Sequence, residues 1–171
     1  NLKAVLETYA GRPLKIGSFS AASNVTGIIT NTDAVTTMLR EHGAIACWDF
    51  AAAAPYVPIH MNQPEVPDNL ADKDVVFISP HKFPGGPGTP GILIIKKALM
   101  KNKVPVIPGG GTVSYVSSDE HRYIDDPEHR EEGGTPEIVG AIRAGLIFQL
   151  KEAVGAEDIF SHEKEMARHA I

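Results

Sequence analysis

Residues 75–88 read Val75-Val76-Phe77-Ile78-Ser79-Pro80-His81-Lys82-Phe83-Pro84-Gly85-Gly86-Pro87-Gly88. The unbroken apolar run at the start, three of its four residues β-branched, predicts a buried strand. The strand ends at a serine, a lone lysine follows, and a glycine- and proline-rich loop comes next. A lysine at a strand end beside groups able to bind phosphate can form a Schiff base with a carbonyl cofactor. To attack a carbonyl it must be uncharged, and burial at the sheet end near a bound cofactor supplies the needed shift. The plainer alternative is a surface lysine at the start of a loop.

Outward from this stretch, short apolar segments alternate with helical patterns. Leu14 to Ser20, Ala44 to Asp49, Val75 to Ser79 and Gly91 to Ile95 read as strands. Between the first two, Asn31 offers an N-cap, Val35, Met38, Leu39 and His42 recur at helical spacing, and Gly43 closes the helix. This alternation predicts an α/β fold with a mostly parallel sheet flanked by helices. Ligands in such sheets bind beyond the carboxyl ends of the strands, where Asp49 and Ser79 both fall. An aspartate and a Schiff-base lysine are the two groups that pyridoxal 5'-phosphate chemistry needs most. The aspartate, semi-buried and ionised, keeps the ring nitrogen protonated. Taken alone, Asp49 is equally a strand-end turn residue.

Residues 55–73 read as an irregular, proline-rich connection, and residues 105–134 as a long loop region between two glycine clusters. Thr135-Pro136-Glu137 then predicts a helix start, with Thr135 as N-cap and Pro136 in the first position. Ile138, Ile142, Gly145, Leu146 and Leu150 form its expected apolar face. A further helix is expected from about Glu157, and Leu2–Leu6 also reads as helical.

Bulk properties narrow the function. The 171 residues, 43% hydrophobic and 22% charged, are those of an ordinary globular domain. A net charge of −5 without a basic cluster argues against nucleic acid as a partner. No apolar run is long enough to span a membrane. Seven histidines and one cysteine show no metal-ligand spacing, so no metal is expected. The glycine-rich loop lacks the Gly-Lys-Ser/Thr ending of a nucleotide-binding P-loop and leads into a strand rather than a helix; its glycines allow close approach to a ligand or to another chain. Cys47, inside an apolar strand, reads as a small core residue, and a single cysteine fits a reducing, cytoplasmic compartment.

Four segments together resemble the class V aminotransferase family of fold type I pyridoxal phosphate enzymes, which includes cysteine desulfurases and selenocysteine lyases. They are Ser23-Asn24-Val25-Thr26-Gly27, Asp49-Phe50-Ala51-Ala52, Ser79-Pro80-His81-Lys82 and Glu132-Gly133-Gly134-Thr135-Pro136. The resemblance covers essentially the whole chain. It implies that Asn24 lies by the cofactor's 3-hydroxyl, Asp49 pairs with the ring nitrogen, Ser79 and His81 hold the phosphate, and Lys82 carries the aldimine. It also implies a homodimer with shared sites, in which Thr135 reaches the phosphate of the partner subunit's cofactor. Thr135 read from the residues alone is simply an N-cap.

Two positions depart from the family pattern: Ala52 replaces a glutamine, and Glu131 replaces an aromatic. The resemblance further implies that residues 1–171 are the central part of the cofactor-binding large domain, the upstream segment and the C-terminal small domain being absent. A substrate-carboxylate arginine and a desulfurase's catalytic cysteine would lie in those parts. The implied function is chemistry on an amino acid, desulfurase- or selenocysteine lyase-like first and aminotransferase second. The rival from another class is a non-catalytic, degenerate member or truncated assembly module.

Overall fold

The computed structural model describes residues 1–170. The chain divides into two compact units, Asn1–Ile94 together with the segment from Gly140 onward, and Ile95–Val139.

In the first unit, α1 (Leu2–Thr8) leads to β1 (Ile16–Ser20), α2 (Thr32–Glu41), β2 (Ile45–Asp49), β3 (Val75–Ile78) and β4 (Ile92–Ile95). The four strands form one sheet in chain order. β1 pairs parallel with β2, placing Ser20 beside Asp49. β2 pairs parallel with β3, placing Asp49 beside Phe77. The predicted α/β architecture is therefore present, and each predicted strand falls within two residues of an observed one.

Period-two alternation sends Gly17, Ala46, Trp48 and Val76 to one face, which α2 covers. Leu39 of α2, 1% exposed, lies so close over Gly17 that a Cβ there would meet both of its terminal methyls. Trp48, wholly buried, donates its indole N–H to Thr36 Oγ1 at 2.8 Å, which satisfies the one polar atom its burial strands. Trp48 belongs to a cluster with Phe50, Ala53, Ala54, Val76, Ile78, Phe83 and Ile147. A second cluster joins Leu6, Leu39, Ala44 and Ala46. Asn31 caps α2 as expected, its side chain accepting from Ala34 N at 3.1 Å, and Gly43 takes up φ +65° beyond its end.

Beyond the expected core lies a polar cluster on the segment entering β3. Asp74 accepts from Arg40 at 2.6 Å with one oxygen and from Ala46 N at 2.9 Å with the other. Buried Lys73 pairs with Asp33 at 2.8 Å, and Gln63 donates to the second oxygen of Asp33 at 2.9 Å. These bonds pin α2 and the irregular 55–73 connection to the sheet.

α4 (Ile138–Val154) and α5 (Ala156–Ala170) complete the unit, and two expectations fail at α4. It begins three residues after Thr135, so Thr135 is not its N-cap. A Thr-Pro pair is as compatible with extended chain as with a cap, because the residue before proline avoids the helical region, and Gly134 has already turned the chain at φ +86°. Nor does the predicted apolar face point inward. Ile138, Ile142, Leu146 and Leu150 are all exposed, and the buried residues are Gly140, Ala144 and Ile147. Two small residues let the helix approach closely, so periodicity alone picked the wrong side.

The second unit corrects the expectation of a long loop over 105–134. β5 (Val113–Val116) and β6 (His121–Tyr123) form an antiparallel pair, and α3 (Pro127–Glu131) follows, capped by Asp126. Buried Arg130 donates to the carbonyls of Ile124, Asp125 and Asn102 at 2.8–2.9 Å. Glu131, one of the two departures noted above, accepts from Asn102 Nδ2 at 2.5 Å and from Val106 N at 3.0 Å, so a carboxylate does here what an apolar ring cannot.

Candidate functional site at the carboxyl edge of the sheet

Three predicted site segments leave the sheet from the carboxyl ends of three adjacent parallel strands. Neighbouring strands lie about 4.8 Å apart, so the register itself brings these segments together.

Asn24 follows β1 on a tight turn. Ser23 Oγ accepts from Val25 N and Thr26 N, both at 3.2 Å, and Gly27 at φ +70° lets the chain return so that Ser23 N donates to Ile28 O at 3.0 Å. The serine shapes this turn through local side-chain bonds, a role that the sequence reading did not assign. Asn24 is exposed.

Asp49 is the last residue of β2. Its carbonyl accepts from Ala21 N at 2.8 Å, and Phe50 N donates to Phe77 O at 2.8 Å, so pairing to both neighbours continues to the sheet edge. The Asp49 carboxylate accepts from Ala51 N at 2.7 Å with Oδ1, which leaves Oδ2 to meet a cation.

Ser79, His81 and Lys82 follow β3 on a short 3₁₀ turn over Pro80–Lys82. Lys82 N donates to Ser79 O at 3.1 Å, Phe83 N to Pro80 O at 3.0 Å, Gly86 N to Phe83 O at 2.9 Å and Thr89 N to Gly86 O at 3.1 Å. These i to i+3 bonds coil the chain back on itself. At Gly86 a Cβ would collide with the Pro80 carbonyl oxygen. Phe83, 3% exposed, anchors the coil from beneath and packs on Phe148 with ring centroids 5.0 Å apart.

Lys82 and Asp49 are both exposed, which corrects the expectation that burial at the sheet end encloses them. The carboxyl edge of this sheet is open in the chain by itself. Thr135 is also exposed and belongs to the second unit. A cavity of about 530 Å³ in that unit, lined by Met100–Lys103, His121–Asp125 and Arg130, contains none of the predicted site residues.

Cys47 is half-buried in the middle of β2. Burial, and secondarily the Asp74 carboxylate, push its thiol above the ordinary value. A nucleophilic cysteine needs the reverse. Among the described residues no His, Cys, Asp and Glu cluster could hold a metal ion, and no helix is long and apolar enough to cross a membrane.

A carboxylate with a free oxygen can meet a protonated ring nitrogen, a hydroxyl and an imidazole can bind a phosphate, and an amine can condense with an aldehyde. These groups fit pyridoxal 5'-phosphate.

Comparison with known proteins points the same way. The model of the family described as aminotransferase class-V matches residues 3–171. The chain is 32% identical to a probable cysteine desulfurase of Halalkalibacterium halodurans over 92% of its length, which is 36% of that protein. It is 28% identical to a probable cysteine desulfurase of Streptomyces coelicolor over 92% of its length and 35% of that protein. The apo cysteine desulfurase of Thermococcus onnurineus superposes with a TM-score of 0.82 at 27% identity, over 98% of this chain and 40% of that one. An alanine–glyoxylate aminotransferase of Nostoc shares the fold, with a TM-score of 0.65 at 16% identity over 98% of this chain and 41% of that one. The chain thus spans well under half the length of the proteins it matches.

Proposed function

The chain belongs to the aminotransferase class-V family, and on that footing we propose that the whole protein is a pyridoxal 5'-phosphate-dependent enzyme acting on an amino acid, most nearly in the manner of a cysteine desulfurase or selenocysteine lyase. One observation carries the proposal: Asn24, Asp49 and the Ser79-Pro80-His81-Lys82 turn leave one sheet edge from three adjacent parallel strands, in the order the motifs require. When bound, the cofactor supplies an electron sink for charge developing at the substrate's alpha carbon. Lys82 holds the cofactor through its amine and moves the proton at that carbon. Asp49, its Oδ1 already fixed by Ala51 N, uses Oδ2 to keep the ring nitrogen protonated. Ser79 and His81 bind the phosphate, and Asn24 meets the ring hydroxyl.

Cys47 takes no part, since it sits half-buried in the middle of β2, where burial and the Asp74 carboxylate push its thiol away from the thiolate form. A sulfur-accepting cysteine therefore has to come from outside these residues. An aminotransferase is the second reading within the family, and a non-catalytic family member is the rival outside it. Borohydride reduction of the loaded full-length protein followed by peptide mapping tests the assignment: the cofactor label is expected on Lys82, and a label on any other lysine, or none, refutes it.

The active form is a homodimer in which Thr135 completes the phosphate site of the second copy. Its support is the Glu132-Gly133-Gly134-Thr135-Pro136 motif and the exposure of Thr135. Mixing a Lys82→Ala subunit with a Thr135→Ala subunit is expected to restore activity, because one intact site forms. No recovery over the separate variants means that each Thr135 serves its own chain. The unpaired Cys47 supports a reducing, cytoplasmic setting, and recovery of the protein from a disulfide-forming compartment would oppose it.

A further inference from the structure

Lys151, in the last turn of α4, has no part in any recognised motif, yet it reaches both strand-end segments of the site. Its Nζ donates to Ala54 O at 2.6 Å and to Val57 O at 2.5 Å. It also stands 5.7 Å from the centroid of the Phe83 ring, the residue directly after Lys82.

The first two contacts close a small structure that begins at Asp49. Ala51 N donates to the Asp49 carboxylate at its start. Ala54 N then bonds Phe50 O at 2.7 Å, and Tyr56 N and Val57 N both bond Ala53 O, at 2.9 and 3.1 Å. This is a helix-like coil with carbonyls left over at its far end. A cation at such an end caps the carbonyls and opposes the local dipole. Ala54 is wholly buried and Val57 half-buried, so these carbonyls have restricted access to water. The third contact is a cation facing an aromatic ring on the coil that carries Lys82.

We propose that Lys151 is a positioning residue, whose ammonium caps the coil that follows Asp49 and rests on the ring that follows Lys82, and so holds the two segments in one fixed register. Burial pushes the Lys151 ammonium below the ordinary lysine value. The two carbonyls and the ring are what keep a cation there. The same helix makes a second, independent tie: Arg143 donates to Pro87 O at 2.8 Å in the glycine-rich loop. α4 therefore holds the backbone beyond both motifs, though neither motif's sequence refers to it. This inference rests on the roles given above to Asp49 and Lys82.

The test uses the full-length protein with Lys151→Met, which keeps the length and loses the donors, and Lys151→Arg, which restores donors and charge. Hydrogen exchange of the cofactor-free protein reads the coil. In Lys151→Met the amides of Ala54, Tyr56 and Val57 are expected to exchange about tenfold or more faster, the β2 amides staying unchanged. In the cofactor-loaded protein, a displaced Asp49 is expected to move the apparent pKa of the bound chromophore by about 0.5–1 unit. Lys151→Arg is expected to reverse both effects. Unchanged exchange at the coil, or a uniform rise in all amides with no chromophore shift, overturns the proposal and leaves Lys151 a packing residue. If Lys151→Met does not fold, Lys151→Gln against Lys151→Arg gives the same two readouts. A parent protein that never acquires a chromophore refutes the cofactor assignment instead, and the exchange result then decides the role of Lys151 alone.

Discussion

The two units of this chain are held together by different physics. In Asn1–Ile94 and the segment from Gly140 onward, buried apolar side chains form two clusters, and both lie wholly within that unit. In Ile95–Val139 the buried side chains include Thr112 and Arg130, and the work is done by directional bonds: Arg130 to three carbonyls, Glu131 to Asn102 and Val106, and Asp126 to the start of α3. Apolar burial is non-directional and spreads over many contacts. A polar lattice puts its stability into a few groups, each costly to remove because its partners are then stranded. The first kind of unit should fail globally and the second locally.

The sharpest break is at Trp48. Trp48→Ala empties the largest fully buried side chain and strands the Thr36 hydroxyl. Denaturant titration of the full-length protein is expected to show a loss of about 3–5 kcal/mol in one cooperative step. A loss below about 0.5 kcal/mol, within the range of ordinary surface changes, would mean the sheet core is not what holds the first unit.

Arg130→Met comes next. It keeps the buried stem and deletes the donors, leaving the carbonyls of Ile124, Asp125 and Asn102 unpaired, at a cost of about 2–3 kcal/mol. Exchange should quicken at amides bonded within the second unit, such as Ile124 N to Thr112 O and Gly134 N to Gly110 O, while β2 amides stay protected. Equal loosening of both units would erase the contrast.

The smallest effect is a pH dependence confined to α3. His129 Nδ1 lies 2.8 Å from Asp126 Oδ2. Its bond to Asp126 raises the His129 pKa above 6.5, and the same bond lowers that of Asp126 from 3.8 to about 2. A raised histidine stabilises the fold below its unfolded value, and the benefit disappears as pH climbs through the raised value. A lowered carboxylate stabilises above its unfolded value, and that benefit disappears as pH falls toward about 2. The pair therefore helps most between roughly pH 4 and 6.5. NMR titration of the His129 ring should give a midpoint above 6.5 that Asp126→Asn brings back down. An unmoved midpoint would remove the pair from the account.

The same division explains what could be read from the amino acids. β1 to β3, the Asn31 cap and the placing of Asp49 and Ser79 at the carboxyl ends of their strands were legible, because period and composition report burial directly, whereas Asn24 entered only through the resemblance of its segment to the family's. The second unit was read as loop because Arg130 and Glu131 act through hydrogen bonds at sequence distances that have no period. The inner face of α4 was misassigned for a related reason. Gly140 and Ala144 are weakly apolar, and their smallness carries the contact, whereas Ile142 and Leu146 supply the signal and face outward. The exposure of Lys82 and Asp49 could not be read at all, since covering a sheet edge depends on residues far away in the chain.

Gly86 carries an implication for the history that a sequence like this can have. Its Cβ position is occupied by the backbone of the turn that bears Lys82, and backbone, unlike a side-chain tip, has nowhere to go. Gly109 and Gly110 have nothing within 4 Å of theirs. In a saturation library the column for residue 86 would be all but blank while those two drifted freely. Over long divergence, this unreactive position would hold as fast as the lysine four residues before it, for reasons of space rather than chemistry.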